Sequence, residues 1–265
     1  MYKIIDGKEI AEKIKDEIVQ EITALKSGRP NLAIILVGNR PDSRLYVSLK
    51  EKEGFKVGVD THLYELDEDV TEVELLSVIN FLNNDNLIDG ILVQLPLPSQ
   101  FNTDKIIKAI DPKKDVDGFH PQHPQYILSP VLASVQACIN YLSWDNKHKK
   151  AAIFYNSEIF ETGVKDILMK NGFEILKNSE SQQADLIVSA LGKPGTITKE
   201  ILKEEVVIID IGITKDGKKV KGDVDLDSVK EWASYLTPVP GGIGPMTIAF
   251  LFKNVLEIYK RRANK

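Results

Sequence analysis

Short apolar runs alternate along this chain with longer stretches whose apolar residues recur every three or four positions. Ile10, Ile14, Ile18 and Ile22 stand four apart, which predicts a helix over 8–27, stopped by Gly28 and Pro30. Leu32–Val37 reads as a buried strand, 43–54 as a helix and Leu63–Leu66 as a short strand. A helix follows over 71–83, opened by Thr71 with Glu74 three residues on, the pattern of a capping box. Gly90–Leu95 is the next apolar run. The rhythm repeats in the second half. Helices are expected at 131–143, 160–171 and 245–262, and strand-like runs at 151–154, 173–176, 184–191 and 206–211. Strands separated by helices imply parallel pairing, so the expected class is α/β. The Pro/His/Gln stretch 120–126 reads as loop and marks a boundary region, which gives two α/β lobes with a cleft between them.

The chain has 265 residues, enough for one large domain or two modest ones. Its balance of 34 basic against 39 acidic side chains gives a net charge of −5, with no broad attraction for a phosphate backbone, so no nucleic-acid partner is expected. The single cysteine, Cys138, excludes an internal disulfide and any zinc site needing two or more cysteines. The charged N-terminal stretch and the absence of any apolar run of about 18 residues predict a cytoplasmic protein with no membrane partner.

Four segments carry candidate chemistry. Ser43, Tyr46 and Lys50 are three and four residues apart and share one face of the expected helix. A tyrosine beside a lysine is a workable proton-transfer pair, although the same spacing also describes an ordinary solvated face. Tyr-x-x-x-Lys occurs in short-chain dehydrogenases too, but the Gly-rich turn they need is missing upstream. Gln94 lies in an apolar run followed by Pro96 and Pro98, which end the strand at a shaped loop. It is either a ligand-facing residue at a strand's carboxyl end or a core amide bonded to nearby backbone. Asp115 and Asp117 precede Gly118, and this is either a turn or a carboxylate site for the N–H groups of a heterocycle. The stretch TPVPGGIGPMT, 237–247, fixes a loop that a ligand can approach closely, and it is neither a P-loop nor a dinucleotide fingerprint. His120 and His123 lack a third partner at suitable spacing, so no metal is expected.

Taken in order, VGNRPDSRLYVSLKEKEGFKVGV, DGILVQLPLP, KKDVDGFHP and TPVPGGIGPMT resemble the methylenetetrahydrofolate dehydrogenase / methenyltetrahydrofolate cyclohydrolase family of the FolD type. ALGKPG, IDIGI and GDVD fit as well, so the resemblance spans nearly the whole chain. It implies a folate-binding catalytic domain over 1–135, completed by a C-terminal helix at 245–265, and a Rossmann-like nucleotide domain over 136–244. By position it implies Lys50 as the catalytic lysine, Tyr46 stacking on the pterin and supporting it, and Gln94 tuning it. Asp117 would anchor the pterin amino and ring N–H groups. Ser43 would position the helix face, and Pro240 and Gly241 would line the folate pocket. Ser157, Gly192 and Ile213 would bind the cofactor, NADP. Tetrahydrofolate derivatives are the implied substrates and a homodimer the implied assembly.

One region departs from that pattern. Where the family carries Gly-Arg-Ser-x-Ile-Val-Gly-x-Pro, this chain reads Tyr155-Asn156-Ser157-Glu158-Ile159-Phe160-Glu161-Thr162-Gly163. The phosphate-side glycine and arginine are replaced and Glu161 adds negative charge. The segment Lys177–Gln183 lacks the family's His-Ser-x-x-Thr, and the family's Pro-Cys/Ala-Thr-Pro segment is altered to Pro130-Val131-Leu132-Ala133. These departures predict weak NADP binding and impaired methylene oxidation, with methenyl hydrolysis retained. The alternative is a catalytically silent folate-binding or regulatory relative.

Overall fold

The structure is a computed structural model and describes residues 2–25, 28–217 and 219–263, without the side chains of Ile159 and Asp216. In chain order its first half contains β1 (Lys3–Ile4), α1 (Gly7–Thr23), β2 (Asn31–Val37), α2 (Pro41–Val57), β3 (Asp60–Leu66), α3 (Glu72–Asn84), β4 (Gly90–Val93) and α4 (Thr103–Ala109). The second half contains α5 (Pro130–Leu142), β5 (Lys150–Tyr155), α6 (Glu158–Lys170), β6 (Glu174–Ile175), β7 (Leu186–Ala190) and β8 (Val206–Asp210). It ends with β9 (Thr214–Asp216), β10 (Lys219–Lys221), α7 (Leu226–Val229), β11 (Ala233–Leu236) and α8 (Ile243–Ala263).

These elements form two compact units. One comprises residues 12–130 and the last helix from residue 248, and the other comprises residues 2–11 and 131–247. The division expected at residue 135 therefore falls at 130/131, and the N-terminal residues belong with the second half. The physical reason is β1, which pairs in parallel with β11, a strand too short and mixed to announce itself in the sequence. The C-terminal helix does return to the first unit, changing membership between Thr247 and Ile248.

The first unit is built on the parallel sheet β3-β2-β4. Leu32 through Val37 are all buried, as a central parallel strand covered on both faces requires. One face packs Ala33, Ile35 and Val37 against Leu75, Ile79 and Leu82 of α3 and Ile106 beyond. The capping box at Thr71 and Glu74 forms as expected and fixes where α3 begins. Gly54 of α2 sits where a Cβ would lie 2.7 Å from Thr61 and 3.1 Å from Phe252, so glycine permits the close approach of α2 to β3 and α8.

The second unit is built on a six-stranded parallel sheet of order β1-β11-β8-β7-β5-β6, with the antiparallel ribbon β9-β10 beside it. The chain leaves β5 for β6 on one side and then crosses to β7 on the other. The carboxyl ends of β5 and β7 therefore form a topological switch point, where open α/β sheets leave a crevice. Ala152, Ile187, Val206 and Ile208 are fully buried in its core.

Candidate active site and nucleotide unit

The face predicted on α2 exists, because the helix runs unbroken from Pro41 to a left-handed cap at Gly58. Along it lie Ser43, buried, Tyr46, 39% exposed, and Lys50, half-buried. The Lys50 ammonium donates to Gln94 Oε1 at 2.7 Å. Gln94 follows β4 directly. Its backbone N–H donates to Ile35 O and its side-chain amide donates to Leu95 O at 2.7 Å, so its carbonyl oxygen is fixed toward the lysine. The two readings of Gln94 are thus both true: it bonds to local backbone and it faces a titratable group. Burial lowers the Lys50 pKa, and the Asp117 charge opposes that shift without cancelling it.

Asp115 and Asp117 divide the two roles that their spacing left open. Asp115 is the turn-former: its carboxylate accepts from the amides of Asp117, Gly118 and His120, the last at 2.7 Å. Asp117 is held on that turn with its carboxyl pushed up to about 6, chiefly by burial, with the Lys50 ammonium pulling down and Asp115 pushing up. Gly118, at φ 65, supplies the left-handed residue that the turn needs. Two further residues secure the segment, and sequence reading missed both. Asn254 of α8 donates to Val116 O and Leu128 O, and the Lys114 ammonium donates to the carbonyls of Leu82 and Asp85 at the end of α3. A buried asparagine at a core position of an apolar helix was the available signal for Asn254. Among the described residues the buried Ser43 hydroxyl has no hydrogen-bond partner.

Lys50, Gln94, Asp117, Tyr46 and Ser43 all belong to the first unit. Pro240 and Gly241 belong to the second. There Gly241 adopts φ 110, the Val239–Pro240 bond is cis, and Gly242 N–H donates to Pro238 O at 2.7 Å. The loop presses on residues 7–8, where a Cβ on Gly7 would fall 1.9 Å from Gly242 O. Among the described residues no group of three or more His, Cys, Asp or Glu is arranged to hold a metal. His120 is instead a turn residue whose Nδ1 accepts from Gln122 N–H.

Family models bear on both units. Residues 5–117 match the model of the tetrahydrofolate dehydrogenase/cyclohydrolase catalytic domain, and residues 133–263 match that of its NAD(P)-binding domain. This chain belongs to the tetrahydrofolate dehydrogenase/cyclohydrolase family. It is 41% identical, over 98% of both chains, to the bifunctional protein FolD of Sulfurihydrogenibium sp. (strain YO3AOP1). Its fold superposes on the bifunctional enzyme FolD of Campylobacter jejuni with a TM-score of 0.93, 37% identity and coverage of 99% and 100%. It also superposes on the Trypanosoma brucei FolD, solved with NADP and an inhibitor, with a TM-score of 0.91, 28% identity and coverage of 100% and 99%.

The nucleotide unit of this FolD-family chain fits a dinucleotide through its backbone. Ser157 is the N-cap residue of α6, exposed, with no side-chain bond to the helix, so the first-turn amides are left to other acceptors. Gly192 is exposed at φ 64, and a Cβ there would reach nothing nearer than Asn156 at 4.0 Å. Ile213 is 49% exposed after β8. The three expected cofactor residues thus follow the carboxyl ends of three neighbouring strands. The side chains of the β5–α6 turn do not add to this cradle. Asn156 donates to Leu191 O at 3.0 Å, and the Tyr155 hydroxyl donates to the Glu161 carboxylate, which raises the tyrosine pKa. Glu158 and Glu161 lie in the first turn of α6 and no basic residue stands between 155 and 163.

Proposed function

We propose that this protein interconverts one-carbon units carried by tetrahydrofolate, hydrolysing methenyl to the formyl product and also oxidising the methylene bridge to methenyl. The match of residues 133–263 to the family's NAD(P)-binding domain supports the oxidation, the step that the altered β5–α6 turn is expected to impair. The observation that carries this reading is the Lys50 network: a half-buried ammonium with a lowered pKa, fixed by Gln94 and facing the charge of Asp117. NADP, when bound, would supply one thing, acceptance of the hydride in the oxidation step. The remaining chemistry belongs to the chain. Water adding to the methenyl carbon must lose both of its protons by the time the formyl C=O forms, the ring nitrogen must gain one as its C–N bond breaks, and the other leaves to solvent. An amine whose pKa is brought down from its usual value gives and retakes a proton more readily than a solvated lysine, so Lys50 serves both transfers. Gln94 keeps the nitrogen in place between them. Tyr46 offers its ring beside Lys50 for stacking, and Asp117 accepts from the pterin N–H groups, for which it must be ionised. The unpartnered Ser43 hydroxyl is available to the same substrate.

Ser157, Gly192 and Ile213 hold NADP, mainly through the backbone at the strand ends. Pro240 and Gly241 contribute to the folate pocket. We propose a cytoplasmic reaction and, as the family resemblance implies, a homodimeric assembly; light scattering checks the latter. The test of the function follows methenyltetrahydrofolate absorbance after protein is added without nucleotide, against spontaneous hydrolysis. Protein-dependent loss supports the reading, and a rate equal to the blank rejects it.

A further inference from the structure

Two aspartates outside the catalytic set join three loops at the carboxyl edge of the six-stranded sheet. Asp210 ends β8. Its carboxylate accepts from Gly212 N–H at 2.9 Å and from the amides of Asp223 and Val224 at 3.1 Å each. Asp223 carries the connection onward. Its carboxylate accepts from Ser189 Oγ at 2.8 Å, Leu191 N–H at 2.7 Å and Lys193 N–H at 2.8 Å. Both side chains are buried, at 3% and 0% exposure, and among the described residues their hydrogen bonds come from neutral donors. Glycine is required on each side of the pair. A Cβ on Gly212 would lie 2.2 Å from the Asp223 carboxyl group, and one on Gly222 would lie 2.1 Å from Asp210 Oδ2. Thr237 closes the arrangement from the next strand, its hydroxyl accepting from Asp210 N–H at 2.7 Å.

Unpaired carboxylates are costly to bury, and a fold that only needed to close three loops could do so with neutral groups. A carboxylate offers what an amide side chain does not: two oxygens that accept several N–H groups at once. The loops so fixed are 191–193, 211–213 and 222–224. The first two contain Gly192 and Ile213, whose placement the cofactor depends on. We infer that Asp223 and Asp210 are positioning residues for NADP, with Asp223 setting the 191–193 loop and Asp210 setting both the 211–213 loop and Asp223 itself. This rests on the function proposed above. Neither aspartate touches the cofactor in this scheme. They act where the side chains of the β5–α6 turn contribute least, holding backbone in a binding shape before the nucleotide arrives.

The test replaces Asp223→Asn in the full chain. The amide nitrogen cannot accept, so one of the two loop N–H groups, Leu191 or Lys193, loses its partner. Calorimetry should show NADP bound roughly tenfold more weakly, and the KM for NADP should rise in step while nucleotide-free methenyl hydrolysis changes less than twofold. Hydrogen exchange of the nucleotide-free protein should show faster exchange at Leu191 or Lys193. Unchanged NADP affinity despite that faster exchange overturns the inference. If Asp223→Asn does not fold, Ser189→Ala removes a single bond to Asp223 and is expected to weaken NADP about threefold, and unchanged affinity there overturns it equally. Failure of the parent protein to hydrolyse methenyltetrahydrofolate strikes the proposed function, whereas equal NADP binding by parent and variants strikes this inference alone.

Discussion

The two units solve the same problem, placing reactive groups at the ends of parallel strands, by opposite means. In the first unit the groups proposed for the chemistry are side chains. Lys50, Gln94 and Asp117 come from a helix, a strand end and a turn, and burial moves the pKa of the lysine down and that of the aspartate up. In the second unit backbone is what we propose to meet the ligand, and the titratable residues Asp210 and Asp223 stand behind it. Asp210 and Asp223 hold loops, while the turn after β5 presents a tyrosine, an amide and two glutamates. A site built from side chains is sensitive to single substitutions in the chemistry itself. A site built from backbone tolerates changes in the side chains around it, so long as the loops stay in place. That difference accounts for how the family's arginine can be absent at position 156 while the nucleotide domain keeps its fold.

The sharpest test of this comparison is Lys50→Met. Loss of a positioned acid/base group should lower methenyl hydrolysis by about 10²–10⁴-fold with folate binding, read by fluorescence quenching, little changed. Retention of the full rate would remove the side-chain basis of the first unit. Asp117→Asn should weaken folate binding by roughly 10- to 150-fold, the range of one lost charge-assisted bond. In the parent protein that affinity should fall as the pH drops below about 6, where Asp117 takes up its proton, and the variant should not show the inflection. Asn156→Arg probes the other unit from the opposite direction. It restores a cation opposite the nucleotide phosphates and should tighten NADP about tenfold by calorimetry; no change would mean that the amides alone carry the phosphate affinity.

The smallest effect concerns Asp210. Burial, reinforced by the Asp223 charge, raises its carboxyl to about 7 against the pull of three amide donors. The folded state then keeps a proton that the unfolded chain releases near pH 4. Stability is therefore lost as the pH rises from about 4 toward 7, and Asp210→Asn should flatten that part of the profile in urea unfolding measured across the range.

Much of the fold is legible from local pattern. The β2 run, the Thr71–Glu74 capping box and the helical face of Ser43, Tyr46 and Lys50 each rest on neighbours within a few residues, and spacing alone places them. Elements with no such signature went unread: β1, α4, the β9-β10 ribbon and β11 are short, and the partners that stabilise them are distant in sequence. The same holds within the site. The helical spacing brings Tyr46 and Lys50 together, but the pairing of Lys50 with Gln94 spans 44 residues and exists only because β4 lies beside β2. Spacing could not assign Asp115 to the turn and Asp117 to the open carboxyl, because that choice depends on which amides the folded loop presents.

The sequence by itself determined the alternation of strand and helix, the ordered motifs of the family and the side chains available for proton transfer, since these follow from residue type and local period. Only the tertiary structure decided that the N-terminal strand joins the second half, that Gln94 meets Lys50, and that Asp210 and Asp223 tie three loops together. Those outcomes depend on strand order and burial, which arise from contacts across the whole chain and leave no local trace.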